Sequence, residues 1–169
     1  MTSSKTSQSS FSERDFRDAM GSFATGVCVV SANNAYGEPI GMTVNSFSSV
    51  SLDPPLVLVC LGEDSPRSRA IINAGQFNIS ILSDTQMDVS SFFAQPGQGL
   101  ADTAMILHGL NTCPAMAGSA AVIECNVETQ YPGGDHVILI GRVTHVAVDP
   151  DTNPFLYFRG RYRTLADES

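Results

Sequence analysis

The sequence predicts a mainly β fold of the antiparallel barrel type, with a few short helices placed between strands. Six or seven segments of the 169-residue chain are rich in β-branched and apolar residues, whereas only two or three short segments have helical periodicity. Strands and helices do not alternate regularly, which disfavours a parallel doubly wound sheet. The length favours a single domain over 11–169, preceded by a disordered polar tail over 1–10.

The composition excludes several classes of function. A formal net charge of −8 argues against nucleic acid or an anionic membrane as the main partner. No apolar stretch is long enough for a membrane helix, and the polar start lacks the apolar core of a signal peptide. The four cysteines are widely spaced, which is typical of buried thiols in a reducing compartment and not of a zinc site. We therefore expect a cytoplasmic protein without a bound metal.

The first predicted element is a helix over 12–21, with Ser12 as its N-cap. Phe16, Met20 and Phe23 recur at helical spacing, which predicts that they pack into the core. A short β-rich strand over 26–32 follows and ends in a hairpin-type turn.

The next two segments have different strand character. Residues 40–51 have β propensity but contain many hydroxyl and amide side chains, and the prolines of "LDPP" end them. Residues 56–61, "LVLVCL", form a continuous apolar run, which predicts a strand buried on both faces.

The middle of the chain predicts two helices around a strand. A helix over 65–75 begins with Ser65 and Pro66, then a strand covers 76–82 and a second helix covers 83–95. Residues 96–114 are rich in glycine and lack periodicity, which predicts a long loop covering a site.

The last third predicts three strands. Residues 119–131 alternate apolar and polar side chains, as a half-exposed strand does. The turn "PGGD" leads into a strand over 136–148, and the final strand lies near 155–163.

Common nucleotide and hydrolase motifs are missing, but one stretch suits a ring ligand. The sequence has no G-x-G-x-x-G, no P-loop and no G-x-S-x-G elbow. Residues 43–49, "TVNSFSS", place small hydrogen-bonding side chains on a strand and its bend, where they can read the edge of a planar heteroaromatic ring. The alternative is an ordinary polar edge strand.

A second stretch suits a phosphate group. Ser65, Arg67, Ser68 and Arg69 stand at a predicted helix start, where free N–H groups, hydroxyls and guanidinium groups together favour an anion. The alternative is a capped helix with solvated arginines.

A third stretch combines the turn "GGDH" with arginines near the end of the chain. In an extended segment Arg159, Arg161 and Arg163 would share one face and form a strip for phosphate or carboxylate. A histidine beside a turn is usually structural, so Asp135 and His136 alone leave both interpretations open.

Taken together, these segments resemble the flavin reductase-like family, the short-chain NAD(P)H:flavin oxidoreductases. The resemblance covers 11–165 and rests on four segments, "FRDAMGSFATGVCVV", "GMTVNSFSSVSLDPPLVLVCL", "GGDHVILIGRV" and "LYFRGRYR". It implies a split β-barrel of the FMN-binding type that forms a homodimer with flavin near the subunit interface. Many members are reductase components of two-component flavin monooxygenases.

The resemblance also implies roles for individual residues. The flavin ring and ribityl chain would contact Thr43, Val44, Asn45, Ser46 and Ser49. The ribityl phosphate would be approached by Cys60, Leu61, Gly62 and Ser65, with Phe77 behind the flavin. The nicotinamide would bind at Gly134, Asp135 and His136, and Tyr162 would lie near the same cleft. Members commonly have S-x-T in the phosphate helix, whereas this chain has Ser65-Pro66-Arg67, which leaves the preferred flavin open.

The predicted activity is hydride transfer from NADH or NADPH to FMN, with FAD as an alternative, to supply reduced flavin to a partner monooxygenase. Because hydride transfer needs no acid or base, His136 would mainly orient the nicotinamide. One alternative is a flavin-binding protein of the same fold without NAD(P)H turnover. Another is a structural dimer domain without a ligand.

Overall fold

The computed structural model describes residues 10–95, 106–107 and 113–165. The helices are α1 (Glu13–Gly21), α2 (Pro66–Asn73) and α3 (Met87–Ala94). The strands are β1 (Thr25–Gly26), β2 (Cys28–Asn33), β3 (Pro39–Val44), β4 (Ser48–Leu52), β5 (Pro55–Gly62), β6 (Gln76–Ile81), β7 (Ile106–Leu107), β8 (Ala115–Met116), β9 (Ala121–Gly133), β10 (His136–Val148), β11 (Leu156–Phe158) and β12 (Arg161–Arg163). The predicted polar tail and most of the predicted loop over 96–114 lie outside the described residues.

Seven strands form one antiparallel sheet in the order β3-β2-β6-β9-β10-β5-β4. The two edge strands, β3 and β4, follow one another in the chain, so the bend over 45–47 leads from one edge to the other. A second sheet has the order β1-β11-β12, and β7 pairs with β8. The prediction of a mainly β, antiparallel fold is confirmed.

The core lies on one face of the large sheet and is filled by side chains from its central strands. Leu61, Phe77 and Leu139 are fully buried there. A Cβ on Gly141 of β10 would come within 2.5 Å of the Phe77 ring, so the glycine makes room for that ring. A second apolar cluster joins α3 to the small sheet, with Phe93 and Phe155 among its members.

Helix α1 begins as predicted but packs differently. Ser12 is its N-cap and forms a capping box with Asp15. The prediction that Phe16, Met20 and Phe23 enter the core is wrong, because they are 52%, 58% and 76% exposed and α1 buries no residue. Helical spacing identifies an apolar face but does not say what covers it.

The final segment is a hairpin and not one strand. Arg159 and Gly160 have φ values of 49° and 72°, and this pair of left-handed residues turns β11 back into β12. The predicted arginine strip along one extended face is therefore wrong, because Arg159 lies in the turn while Arg161 and Arg163 lie on β12.

Two further elements differ from prediction. Helix α3 begins at Met87, because residues 83–86 form a turn in which the Ser83 N–H donates to Gln86 Oε1. Strand β5 is not buried equally on both faces. Val57, Val59 and Leu61 are buried, but the side chains between them are only partly covered.

Candidate functional site

A groove lies between β3, α3 and the β11–β12 hairpin. Its cavity has a volume of about 220 Å³. We call it the β3–α3 groove, and it is lined by Val27, Thr43, Val44, Asn45, Ala94, Tyr157 and Tyr162. The fold thus brings three predicted flavin-site residues, Thr43, Val44 and Asn45, to one cavity, together with Tyr162, which is predicted to lie near the nicotinamide.

The hairpin supplies an aromatic wall to this groove. The ring of Tyr162 stacks on Phe155, with centroids 4.6 Å apart and planes inclined by 25°. Tyr157 meets Tyr162 edge-on at 5.6 Å. Because Phe155 is buried, the stack fixes the position of Tyr162 at the cavity.

A buried serine on α3 connects the two sides of the β3–α3 groove. The hydroxyl oxygens of Ser90 and Tyr162 are 2.8 Å apart, and the Thr43 hydroxyl donates to the Ser90 carbonyl oxygen at 2.7 Å. Ser90 is fully buried. Sequence reasoning missed this residue, because a serine inside a helix gives no sign of which neighbour its hydroxyl contacts.

A second group of predicted residues meets where β5 ends and β10 begins. His136 pairs with Gly62 in the sheet, and the Glu63 N–H donates to the Asp135 carbonyl at 3.0 Å. Three residues after Gly62, Ser65 caps α2 and accepts from the Ser68 N–H at 3.4 Å. The predicted nicotinamide turn and the predicted phosphate helix are therefore neighbours.

The side chains of this turn contact each other. His136 Nδ1 lies 2.8 Å from Asp135 Oδ1, and the two side chains are 47% and 92% exposed. The hydrogen bond from His136, aided by its charge, lowers the pKa of the Asp135 carboxyl. Asp135 therefore carries a full negative charge at neutral pH, and one ring nitrogen of His136 faces it.

Ser46 lies between the two groups and joins β5 through its hydroxyl. Ser46 Oγ accepts from the Cys60 N–H at 3.0 Å and donates to the Cys60 carbonyl at 2.9 Å. The Ser46 hydroxyl thus makes the two hydrogen bonds that a paired backbone residue would make, and it joins the β3–β4 bend to β5. The Cys60 thiol is partly buried, and this burial raises its pKa.

The Arg67 guanidinium, predicted to bind phosphate, contacts backbone carbonyls. Arg67 Nη1 donates to the carbonyls of Gly41 and Phe93 at 3.2 and 3.3 Å, and Nη2 donates to that of Gln95 at 2.7 Å. Gln95 follows the last turn of α3, where carbonyls lack helical partners. Arg67 therefore ties α2 and β3 to the C-terminal end of α3.

Four other predicted residues do not present their side chains to the β3–α3 groove. Leu61, Ser68 and Phe77 are fully buried, and the Ser68 hydroxyl donates to Met42 Sδ at 3.3 Å. Ser49 is exposed on β4, paired with Val57 of β5.

A larger open recess of about 740 Å³ adjoins the groove beside α1, and we call it the α1 recess. Asn45 and Tyr157 line both cavities, and α1 contributes Phe16, Met20 and Arg17 to the recess. The predicted flavin site therefore opens toward the exposed apolar face of α1.

The described part of the chain lacks two other classes of site. None of its helices is long and apolar enough to span a bilayer. Within the same residues, no three side chains from His, Cys, Asp and Glu come together as metal ligands would.

Comparison with known proteins gives consistent matches. Residues 20–166 match the family described as flavin reductase like domain. A probable flavin reductase of Rhizobium meliloti (strain 1021) is 47% identical over 154 residues, which cover 91% of this chain and 49% of that protein. The stachydrine N-demethylase reductase subunit of the same organism is 41% identical over 90% of this chain and 66% of its own length. The chain thus spans half to two thirds of these two relatives.

A solved structure shows the same architecture. It is the NADH:FAD oxidoreductase of Streptomyces globisporus, in complex with NAD and FAD fragments. It superposes with a TM-score of 0.86 at 36% identity and covers 93% of this chain and 95% of its own.

Proposed function

Because the chain belongs to the flavin reductase-like family, we propose that it transfers a hydride from NADH or NADPH to FMN, with FAD as the alternative flavin. The observation that best supports this function is the β3–α3 groove, which gathers Thr43, Val44, Asn45 and Tyr162 beside an aromatic wall. An apolar cleft with a few convergent polar groups is the usual form of a ring-binding site.

The residues present suit a flavin. The β3–α3 groove and the α1 recess together offer space for a planar ring and its substituent. The start of α2 offers backbone N–H groups and the Ser65 side chain to a phosphate, next to Gly62. Leu61, Ser68 and Phe77 would support this site from beneath, and Ser46 and Cys60 would shape the strand bend between ring and phosphate.

The bound flavin supplies the hydride-accepting chemistry. The chain's own residues orient the two rings and keep water out. His136, with Gly134 and Asp135, would hold the nicotinamide beside the flavin site, because this turn lies next to Gly62 and α2. Asp135 contacts the His136 ring, so we assign His136 an orienting and electrostatic role.

We further propose that reduced flavin passes to a partner monooxygenase. Support comes from the relative that is a demethylase reductase subunit, although this chain spans 66% of its length. A flavin-binding protein without NAD(P)H turnover is the second candidate, since the β3–α3 groove alone would suit it. The Asp135–His136 turn beside the phosphate helix favours the reductase.

The homodimer and the closed split barrel also belong to this proposal. Phe16 and Met20 on α1, with Phe23 just after the helix, form an exposed apolar face next to the α1 recess, and a second subunit would cover it. Sedimentation of the full chain should give twice the monomer mass, and a purely monomeric protein at micromolar concentration would contradict the dimer. The four cysteines form no disulfide in the described residues, which supports the predicted cytoplasmic location.

One assay separates the two candidate functions. The protein is mixed with FMN or FAD and with NADH or NADPH, and the absorbance of the reduced nicotinamide is followed for all four pairs. Oxidation with any pair, proportional to protein concentration, supports the reductase. Quenching of flavin fluorescence without nicotinamide oxidation supports the flavin-binding alternative. The absence of both signals would refute both functions.

A further inference from the structure

Two adjacent serines on α3 use their hydroxyls in different ways. Ser91 is exposed, and its hydroxyl donates back to the Met87 carbonyl at 2.8 Å, as helical serines commonly do. Ser90 is fully buried, and its hydroxyl lies 2.8 Å from the Tyr162 hydroxyl on β12. Ser90 therefore does not make the local hydrogen bond that its neighbour makes.

Burial decides the direction of the Ser90–Tyr162 hydrogen bond. Within the described part of the chain, Tyr162 Oη is the single hydrogen-bond partner of Ser90 Oγ. Either oxygen could donate across this contact, but a buried Ser90 proton without an acceptor would be costly, so we assign the donor role to Ser90 and the acceptor role to Tyr162. The phenolic proton of Tyr162 is then free to donate into the β3–α3 groove.

The Ser90 backbone carbonyl sets the direction of the hydrogen bond from Thr43, on the β3 wall of the groove. Its carbonyl can only accept, so the Thr43 hydroxyl must donate to it across the 2.7 Å contact. Thr43 Oγ1 then has only lone pairs left for a ligand in the groove. Through its side chain and its carbonyl, Ser90 thus leaves the Tyr162 hydroxyl as a donor and the Thr43 hydroxyl as an acceptor for a ligand in the groove.

We propose that Ser90 is a positioning residue that sets this donor and acceptor pattern for the flavin ring. The pyrimidine edge of an isoalloxazine alternates carbonyl acceptors with an N–H donor, which complements one donor and one acceptor on the walls. The inference rests on the proposed function, because it specifies how the proposed flavin site orients its ring. It assigns Ser90 no direct contact with the ligand.

The test measures FMN affinity by quenching of flavin fluorescence, without turnover, in the full chain. The variants are S90A, Y162F, the double variant S90A/Y162F, and S91A as the matched control. S90A and Y162F should each weaken FMN binding by about 3- to 10-fold, the range of one hydrogen bond. The double variant should bind about as weakly as the weaker single variant, because both remove the same interaction. S91A should bind like wild type.

A spectral measurement separates positioning from a loss of packing. S90A and Y162F should shift the visible absorption band of bound FMN in the same direction, since both change the hydrogen bond offered to the ring. The inference would be overturned if S90A bound FMN as tightly as S91A, or if the losses of affinity added in the double variant. Either result would leave the outcome of the reductase assay unaffected. Wild-type protein that binds neither flavin would refute the proposed function itself.

Folding is not expected to limit this experiment, because alanine favours a helix more than serine does. If S90A nevertheless failed to fold, Y162F would still decide, since the exchange leaves the stacked ring in place. Unchanged FMN affinity and an unchanged flavin spectrum in Y162F would overturn the inference.

Discussion

The β3–α3 groove and the Asp135–His136 turn hold their side chains in contrasting ways. In the groove, Thr43 and Tyr162 are fixed from behind by the buried Ser90, through contacts of 2.7 and 2.8 Å. In the turn, His136 and Asp135 contact each other at 2.8 Å while remaining 47% and 92% exposed. One region is supported by the core and the other by a single surface pair.

This difference matches the two ligands of the proposed reaction. A groove whose walls are fixed before binding loses little conformational entropy when the ligand binds, which suits the flavin ring. An exposed turn can adjust when the nicotinamide enters beside a flavin that is already bound. The comparison therefore predicts that small changes in the groove disturb the whole site, while changes in the turn affect the nicotinamide alone.

The largest effect is expected for Gly41→Ala on β3. A Cβ there would lie 2.9 Å from the Phe93 ring and 3.3 Å from Val29, so α3 would have to move away from β3. Overpacking of this kind costs about 1–3 kcal/mol of unfolding free energy. We expect a lower midpoint of unfolding in urea. FMN binding should weaken by at least about tenfold, because α3 carries Ser90.

The matched control is Gly62→Ala at the turn. There the nearest atom to a new Cβ is His136 Nε2 at 4.0 Å, an ordinary contact. Its stability should stay within about 0.5 kcal/mol of wild type. An equal loss of unfolding free energy in both variants would remove the contrast between a crowded groove and an open turn.

Much of the fold follows from local sequence patterns. The boundary of β10 at His136, the Ser12 cap of α1 and the Ser65 cap of α2 are all as predicted. Each depends on residues within a few positions of one another. In the candidate site, the same local signals located the polar bend and the GGDH turn, and the family resemblance connected them.

What the sequence did not predict depends on contacts between distant segments. The hydroxyl of Ser90 meets a residue 72 positions away, and Arg67 reaches carbonyls 26 to 28 positions away. The apolar face of α1 is exposed although its spacing suits a core helix, because periodicity cannot distinguish a buried face from an exposed one. The hairpin at Arg159 was missed because arginine rarely adopts a positive φ.

His136→Ala should give a more selective effect than the groove variant. Removing the imidazole takes away a group that we place at the nicotinamide, so the KM for NADH should rise about tenfold. The Kd for FMN should change less than about twofold, because the groove walls do not contact this side chain. Steady-state kinetics and flavin titration measure the two quantities separately.

Asp135→Asn is a milder change in the same turn and serves as a control for His136→Ala. The lowered pKa of Asp135 keeps its carboxylate ionised at neutral pH, so the exchange removes a real negative charge beside the imidazole. We expect a smaller rise in KM than in His136→Ala, since the ring itself remains. A loss of FMN affinity as large as the loss of NADH affinity would show that the turn also forms part of the flavin site.

The smallest effect concerns Cys60, which lies on β5 between the two regions. Burial raises the pKa of the Cys28 and Cys125 thiols to about 12, so at pH 8 only roughly one molecule in ten thousand carries either thiolate. Both should resist a thiol reagent in the native state. Burial also raises the pKa of the Cys60 thiol, but this side chain is only partly buried and should be labelled.

Raising the pH from 8 to 9 should speed the labelling of Cys60, because more of its thiol ionises, and should leave Cys28 and Cys125 protected. Mass spectrometry of the peptides measures each site, with Cys60→Ser as the control. Bound FMN should slow Cys60 labelling severalfold and NADH alone should not, since we place this strand at the flavin. Equal slowing by NADH alone would mean that both ligands cover β5, and the separation between a fixed flavin groove and an adjustable nicotinamide turn would have to be abandoned.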